Sequence, residues 1–256
     1  MRGDVLIDIA VLIGFLLTLV RVAGVFVFVP IPGMSSSVGP ARVILSLGVT
    51  LALFSCWPRV DQAPTAGSFV LWIIMEAALG VGTGLAVAFV MEAFAVGAQI
   101  MGLQAGYAFA ATVDPNTQAD STVLVVFSQI AVGLLFFATG LDREVIRVMA
   151  QSLAVYPAGS FVLSRGAGEQ ILLAGSTMFT TGLRLALPMV AIFAMLDIAL
   201  ALLGRVNGQL QLLHISFPVK MMIGLGLLGS LAWLFPTLFR LTADGTFTAL
   251  RGLVTH

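Results

Sequence analysis

The chain has 256 residues, 59% hydrophobic and 9% charged, with twelve Lys and Arg balancing twelve Asp and Glu. Soluble domains carry about 25% charged residues, so most of this surface does not face water, and the chain is an integral membrane protein or part of one. Zero net charge without a basic block excludes a nucleic-acid grip, one cysteine (Cys56) excludes an internal disulfide, and two histidines (His214, His256) cannot build a Cys/His metal cluster.

The first apolar run, residues 5–29, follows a single Arg, is too long for a signal-peptide core and has no small-residue cleavage pattern after it. It reads as a retained helix, longer than the roughly 30 Å hydrocarbon core. The second run, 43–57, is too short to cross unaided. The third, 69–113, is long enough for two crossings but has no strong turn inside it. Runs at 123–139 and 145–163 follow, then 171–204, interrupted only by Pro188, and finally 215–239. Pro and Gly mark the intervening stretches 30–42, 57–68, 106–121, 139–144, 164–170 and 204–218 as turns or loops. The loop arginines are spread too evenly to orient the chain by the positive-inside rule. No repeat or soluble domain stands out. The expectation is one all-α, polytopic membrane domain over residues 1–256, with a short C-terminal tail at 241–256.

Six ionisable residues interrupt the apolar runs: Arg21, Glu76, Glu92, Arg184, Asp197 and Lys220. Facing lipid, each would cost about 2.5–3.5 kcal/mol, so each is expected to face protein or a water-filled path, as packing or assembly charges. Glu76 and Glu92 are sixteen residues apart, on nearly opposite sides of a straight helix, so they should meet different partners. Arg184 and Asp197 are likewise badly placed to pair with each other, subject to the bend expected at Pro188. Gly80 with Gly84, and Gly102 with Gly106, have the spacing that lets helix backbones approach closely.

The stretch Gly224–Gly229, GLGLLG, matches a dinucleotide-binding fingerprint by letter. That fingerprint needs a strand before it and a half-exposed helix after it, whereas one continuous apolar helix is expected through this region. No Walker A, zinc-protease or nucleophile-elbow motif occurs, so no catalytic residue, cofactor or metal site is assigned.

Five stretches in order carry a resemblance: Arg21 followed by VPIPGMSSSVGPAR, then EAALGVGTGLA, GAQIMGLQAGYAFAATVDP, GLRLALP, and LALLGRVNGQLQLLHISFPVKMMIGL. In this order and spacing the chain resembles the FliR family, the R subunit of the flagellar type III protein export gate, whose injectisome counterpart is SctT. It departs in one respect: Gly208-Gln209 stands where the family usually has Pro-Gln after the arginine, here Arg205.

The resemblance implies a non-enzymatic subunit of the bacterial inner membrane and flagellar basal body. It implies partnership with P-type and Q-type subunits (FliP, FliQ), with FlhB and FlhA, and with unfolded protein substrates. It also implies helical hairpins arranged as a spiral around a pore, with the loop at about 106–122 acting as a plug. The loop's chemistry suits that role. Asp114 before Pro115 is steered away from the helical region, and Asn116 can close the resulting turn. Gly106 permits a sharp exit from a helix, and Tyr107 and Phe109 are large enough to fill a constriction. The alternative is a small-solute permease subunit whose intramembrane charges bind substrate. An intramembrane enzyme would need Glu76, Glu92 or Asp197 to form an acid/base pair, which their spacing does not require.

Overall fold

The computed structural model describes residues 9–29, 39–58, 64–107, 123–157, 159–161, 165–206, 212–231 and 233–255. Among these the chain is helical without a strand. The helices are α1 (Ile9–Phe28), α2 (Pro40–Ala52), α3 (Ala66–Gln104), α4 (Val123–Ala138), α5 (Leu141–Val155), α6 (Arg165–Val206), α7 (Leu212–Leu231) and α8 (Phe235–Thr255), with a single 3₁₀ turn at Phe54–Cys56. Three of them, α1, α3 and the Gly168–Arg205 part of α6, are long and apolar enough to cross a membrane, and a fourth span arises if the bent pair α4–α5 is counted as one. This is the all-α polytopic membrane protein expected from composition.

Local chemistry explains most of the boundaries. Gly39 precedes Pro40, a residue pre-shaped for the first helical turn, and so opens α2. That helix ends where the Trp57 indole N–H donates to the Thr50 carbonyl at 2.8 Å, satisfying a group the helix terminus leaves free. Thr65 stands before α3, and its Oγ1 accepts the Ser68 amide at 3.4 Å, the N-terminal capping pattern. No proline lies between Thr65 and Asp114, so nothing breaks α3, and its 39 residues reach roughly 58 Å. Between α4 and α5, Gly140 adopts φ +74°, where a side chain would be strained. Asp142 and Glu144 then occupy the first turn of α5, favourable against the helix dipole.

Three boundaries differ from the sequence reading. Residues 164–170 were expected as a loop, but α6 begins at Arg165, since Glu169 and Gln170 are helix formers. The expected loop 204–218 is cut short because α7 starts at Leu212 and takes Pro218 into its interior, losing only the amide that would have bonded the His214 carbonyl. The apolar run 215–239 is two helices, not one, since α7 ends at Leu231 and α8 begins at Phe235. Pro236 in the first turn of α8 suits a helix start better than a helix interior. The segment 241–256 is helical as far as Thr255.

The chain forms two compact units: residues 1–89, 136–175 and 243–256, and residues 90–135 and 176–242. In the first, Leu17, Val22 and Val25 of α1 are buried, as are Val145, Val148, Met149 and Leu153 of α5. In the second, Ala98, Met101 and Ala105 cluster with Leu124 and Val125 of α4 and with Ala186, Met189 and Phe193 of α6.

Candidate functional site

The first unit is organised around one buried charge pair. Arg21 on α1 and Glu76 on α3 are almost fully excluded from solvent, with Nε and Oε2 2.5 Å apart. Every polar end of this pair is used. The other two guanidinium nitrogens donate to the Ser152 hydroxyl at 3.2 Å and the Tyr156 carbonyl at 2.9 Å, while Glu76 Oε1 accepts the Gly159 amide at 3.1 Å. The Ser152 hydroxyl in turn donates to the Met149 carbonyl at 2.8 Å. A cation therefore sits at the C-terminal end of α5, where the helix dipole and its free carbonyls favour positive charge. Gly159, at φ +82°, has the Trp72 ring where a Cβ would project, so glycine is required there twice over.

One turn further along α3, glycines bring two backbones together. A Cβ on Gly80 would run into the carbonyl of Arg21, one on Gly84 would lie 2.5 Å from the Val25 carbonyl, and one on Gly24 would lie 2.9 Å from the Val81 amide. The Gly80/Gly84 spacing thus serves packing within the chain, α1 against α3. Gly102 and Gly106 do not form such a pair. α3 ends at Gln104, and Gly106 lies beyond it at φ +84° in a turn.

The second unit holds both roots of the central loop. Ala105 at one end and Leu124 at the other are buried in the same cluster. Gly106 turns the chain out of α3, and the Tyr107 hydroxyl donates to the Met221 carbonyl of α7 at 3.1 Å. Gly224 lies beside Ala105, Phe193 and Tyr107, close enough that a Cβ there would press on Ala105 at 3.2 Å. Of the candidate plug residues, Phe109, Asp114, Pro115 and Asn116 fall outside the described residues.

The remaining interior charges separate into two kinds. Lys220 on α7, partly buried, pairs with Asp197 on α6 at 2.5 Å. Glu92 and Arg184 are exposed and have no ion-pair or hydrogen-bond partner among the described residues. Glu92, Arg184 and half-exposed Asp197 lie on the outside of this single chain. Ser152, Tyr156, Gly159 and Trp72 were not singled out in the sequence. Pro157 and Gly159, turn residues two apart, are the one local signal in the sequence that points to this region. Among the described residues, no three His, Cys, Asp or Glu side chains gather as a metal site. GLGLLG lies inside α7, where Gly226 and Gly229 have open space around them, so there is no strand-to-helix turn to cradle a phosphate.

Comparison with known proteins bears on the whole arrangement. Residues 12–245 match the family "Bacterial export proteins, family 1". The chain is 31% identical over 224 residues to the flagellar biosynthetic protein FliR of Escherichia coli strain K12, covering 83% of this chain and 85% of that one. It is 28% identical over 217 residues to FliR of Pectobacterium carotovorum (84% and 83% covered) and 25% identical over 216 residues to FliR of Bacillus subtilis strain 168 (82% of each). A match over nearly the full length, in species as distant as these, means that this chain belongs to the FliR family of bacterial export proteins.

Proposed function

We propose that this chain is the R-type subunit of the flagellar type III export gate in the bacterial inner membrane. It joins P-type and Q-type subunits, FliP and FliQ, alongside FlhB and FlhA, to line the path taken by unfolded flagellar proteins. Family membership supports a role in flagellar export, and the long apolar helices support a membrane location. The observation that carries the finer reading is that the family match runs through the central loop as well as the helices on both sides of it. The chain performs no bond-breaking step of its own in this reading. Its work is to shape a conduit and keep it shut.

The segment at about 106–122 is the plug. Its two roots, at Ala105 and Leu124, share one buried cluster, so its ends are held close together. Backbone that is not helical at membrane depth needs either protein or water around it, and a conduit wall supplies both. Arg21 and Glu76 maintain the α1–α3–α5 arrangement, and Lys220 with Asp197 joins α6 to α7.

The test is removal of residues 108–122, which spares Gly106 and Tyr107. The complex with P-type and Q-type subunits should still purify, and membranes containing it should leak ions or small solutes. Unchanged conductance in an assembled complex would remove the plug assignment.

A further inference from the structure

We infer, resting on the plug reading above, that the Tyr107 hydroxyl is a positioning group for the central loop: it latches the loop's first residue to α7 and so biases the path towards its shut state. All the residues concerned belong to the second unit.

Three constraints meet at this one position. Gly106 at φ +84° ends α3 in a left-handed turn, and its amide donates to the Leu103 carbonyl at 3.2 Å, a common way to stop a helix and turn the chain aside. The Tyr107 ring then packs against the buried cluster that holds Ala105, Leu124 and Phe193. Gly224 of α7 keeps this seat open, because a Cβ there would stand 3.2 Å from Ala105 and 3.8 Å from the Tyr107 ring. Finally, the hydroxyl donates to the Met221 carbonyl at 3.1 Å, across 114 positions of sequence. The other root, Leu124 and Val125, has only apolar side chains to hold it.

The hydroxyl is surplus to the helix it touches, which separates a latch from a strut. Met221 lies well inside α7, so its carbonyl already serves the amide of Leu225, and the phenol adds a second bond to an oxygen with two lone pairs. Phenylalanine would fill the same seat and leave no buried group without a partner. The acceptor is steadied from the opposite side. Lys220, its neighbour in sequence, pairs with Asp197 of α6 at 2.5 Å. Tyr107 therefore closes on a fixed point. A single neutral hydrogen bond is weak enough for a passing polypeptide to break, yet it shifts a two-state balance by a measurable factor.

The experiment uses the full chain in complex with its P-type and Q-type partners, reconstituted into planar bilayers, with resting ion flux as the readout. Tyr107→Phe should raise that flux by about twofold to tenfold, the factor that one neutral hydrogen bond supplies, with recovery of the complex unchanged. Tyr107→Ala, which empties the seat as well, should raise it further. A Tyr107→Phe complex that conducts like wild type, or that is recovered poorly without conducting more, would overturn the inference and reduce the hydroxyl to a packing contact. Removal of residues 108–122, measured beside it, separates the two readings. If that deletion leaks and Tyr107→Phe does not, the latch fails while the plug stands. If the assembled deletion complex does not leak, the plug reading itself fails and the latch falls with it.

Discussion

At the scale of single residues, Arg21 and Glu76 do the most with the least exposure. The pair lies wholly out of solvent, and its hydrogen bonds reach three separate stretches of chain: α3 from α1, the C-terminal end of α5, and the turn at Gly159. Removing one member leaves an uncompensated buried charge, which costs about 3–5 kcal/mol, whereas replacing both with apolar residues of similar volume avoids that penalty. Glu76→Leu or Arg21→Met alone should therefore sharply reduce the protease resistance of the detergent-solubilised chain. The double variant Arg21→Met/Glu76→Leu should recover a substantial part of it. A double variant no better than the worse single one would show that the hydrogen bonds to Ser152, Tyr156 and Gly159, and not the charge balance, dominate. Neither residue's partner could be read from the sequence, because 55 positions separate them and the partners are chosen only when α1 lies against α3.

At the scale of elements, glycine placement decides which helices can touch. On α3, Gly80 and Gly84 face the carbonyls of α1, whereas Gly226 and Gly229 of α7 face open space. A methyl group at position 80 has only backbone to push against, and overpacking of this kind costs about 1–3 kcal/mol. Gly80→Ala should accordingly lower the thermal midpoint of the purified chain by several degrees. Gly226→Ala should leave it unchanged or raise it slightly, since alanine favours a helix by about 1 kcal/mol over glycine. Equal effects at the two positions would contradict the close approach of α1 and α3. The same four-residue spacing at Gly102 and Gly106 does not lie on one helix face, because α3 ends between them at Gln104. Spacing alone therefore does not distinguish a helix contact from a turn.

At the scale of the whole molecule, the amount of apolar surface left uncovered is the leading feature. Large apolar side chains are exposed on all eight helices and on the 3₁₀ turn, among them Ile44, Phe54, Ile74, Leu134, Phe179 and Met222. Contiguous patches of this kind mark contact with other proteins or with membrane. Co-expression with P-type and Q-type subunits should raise the yield of monodisperse protein severalfold over expression alone, as measured by size-exclusion chromatography in mild detergent. Equal yield and dispersity without partners would favour a lipid-surrounded single chain and count against the gate assembly.

The amino-acid sequence by itself determined the membrane class, the all-helical fold and the family, because hydropathy and the order of landmarks such as VPIPG and FPVK depend on composition and position alone. It also carried the exit point at Gly106, a residue type suited to positive φ. Only the tertiary structure decided that Glu76 meets Arg21, that Asp197 meets Lys220, and that Glu92 and Arg184 meet no described residue of their own chain. It likewise decided that Pro218 lies within a helix while Pro236 begins one. The physical reason is common to all of these. A charge, a glycine or a proline states what it needs locally, and which distant backbone or side chain meets that need is set by how whole helices pack.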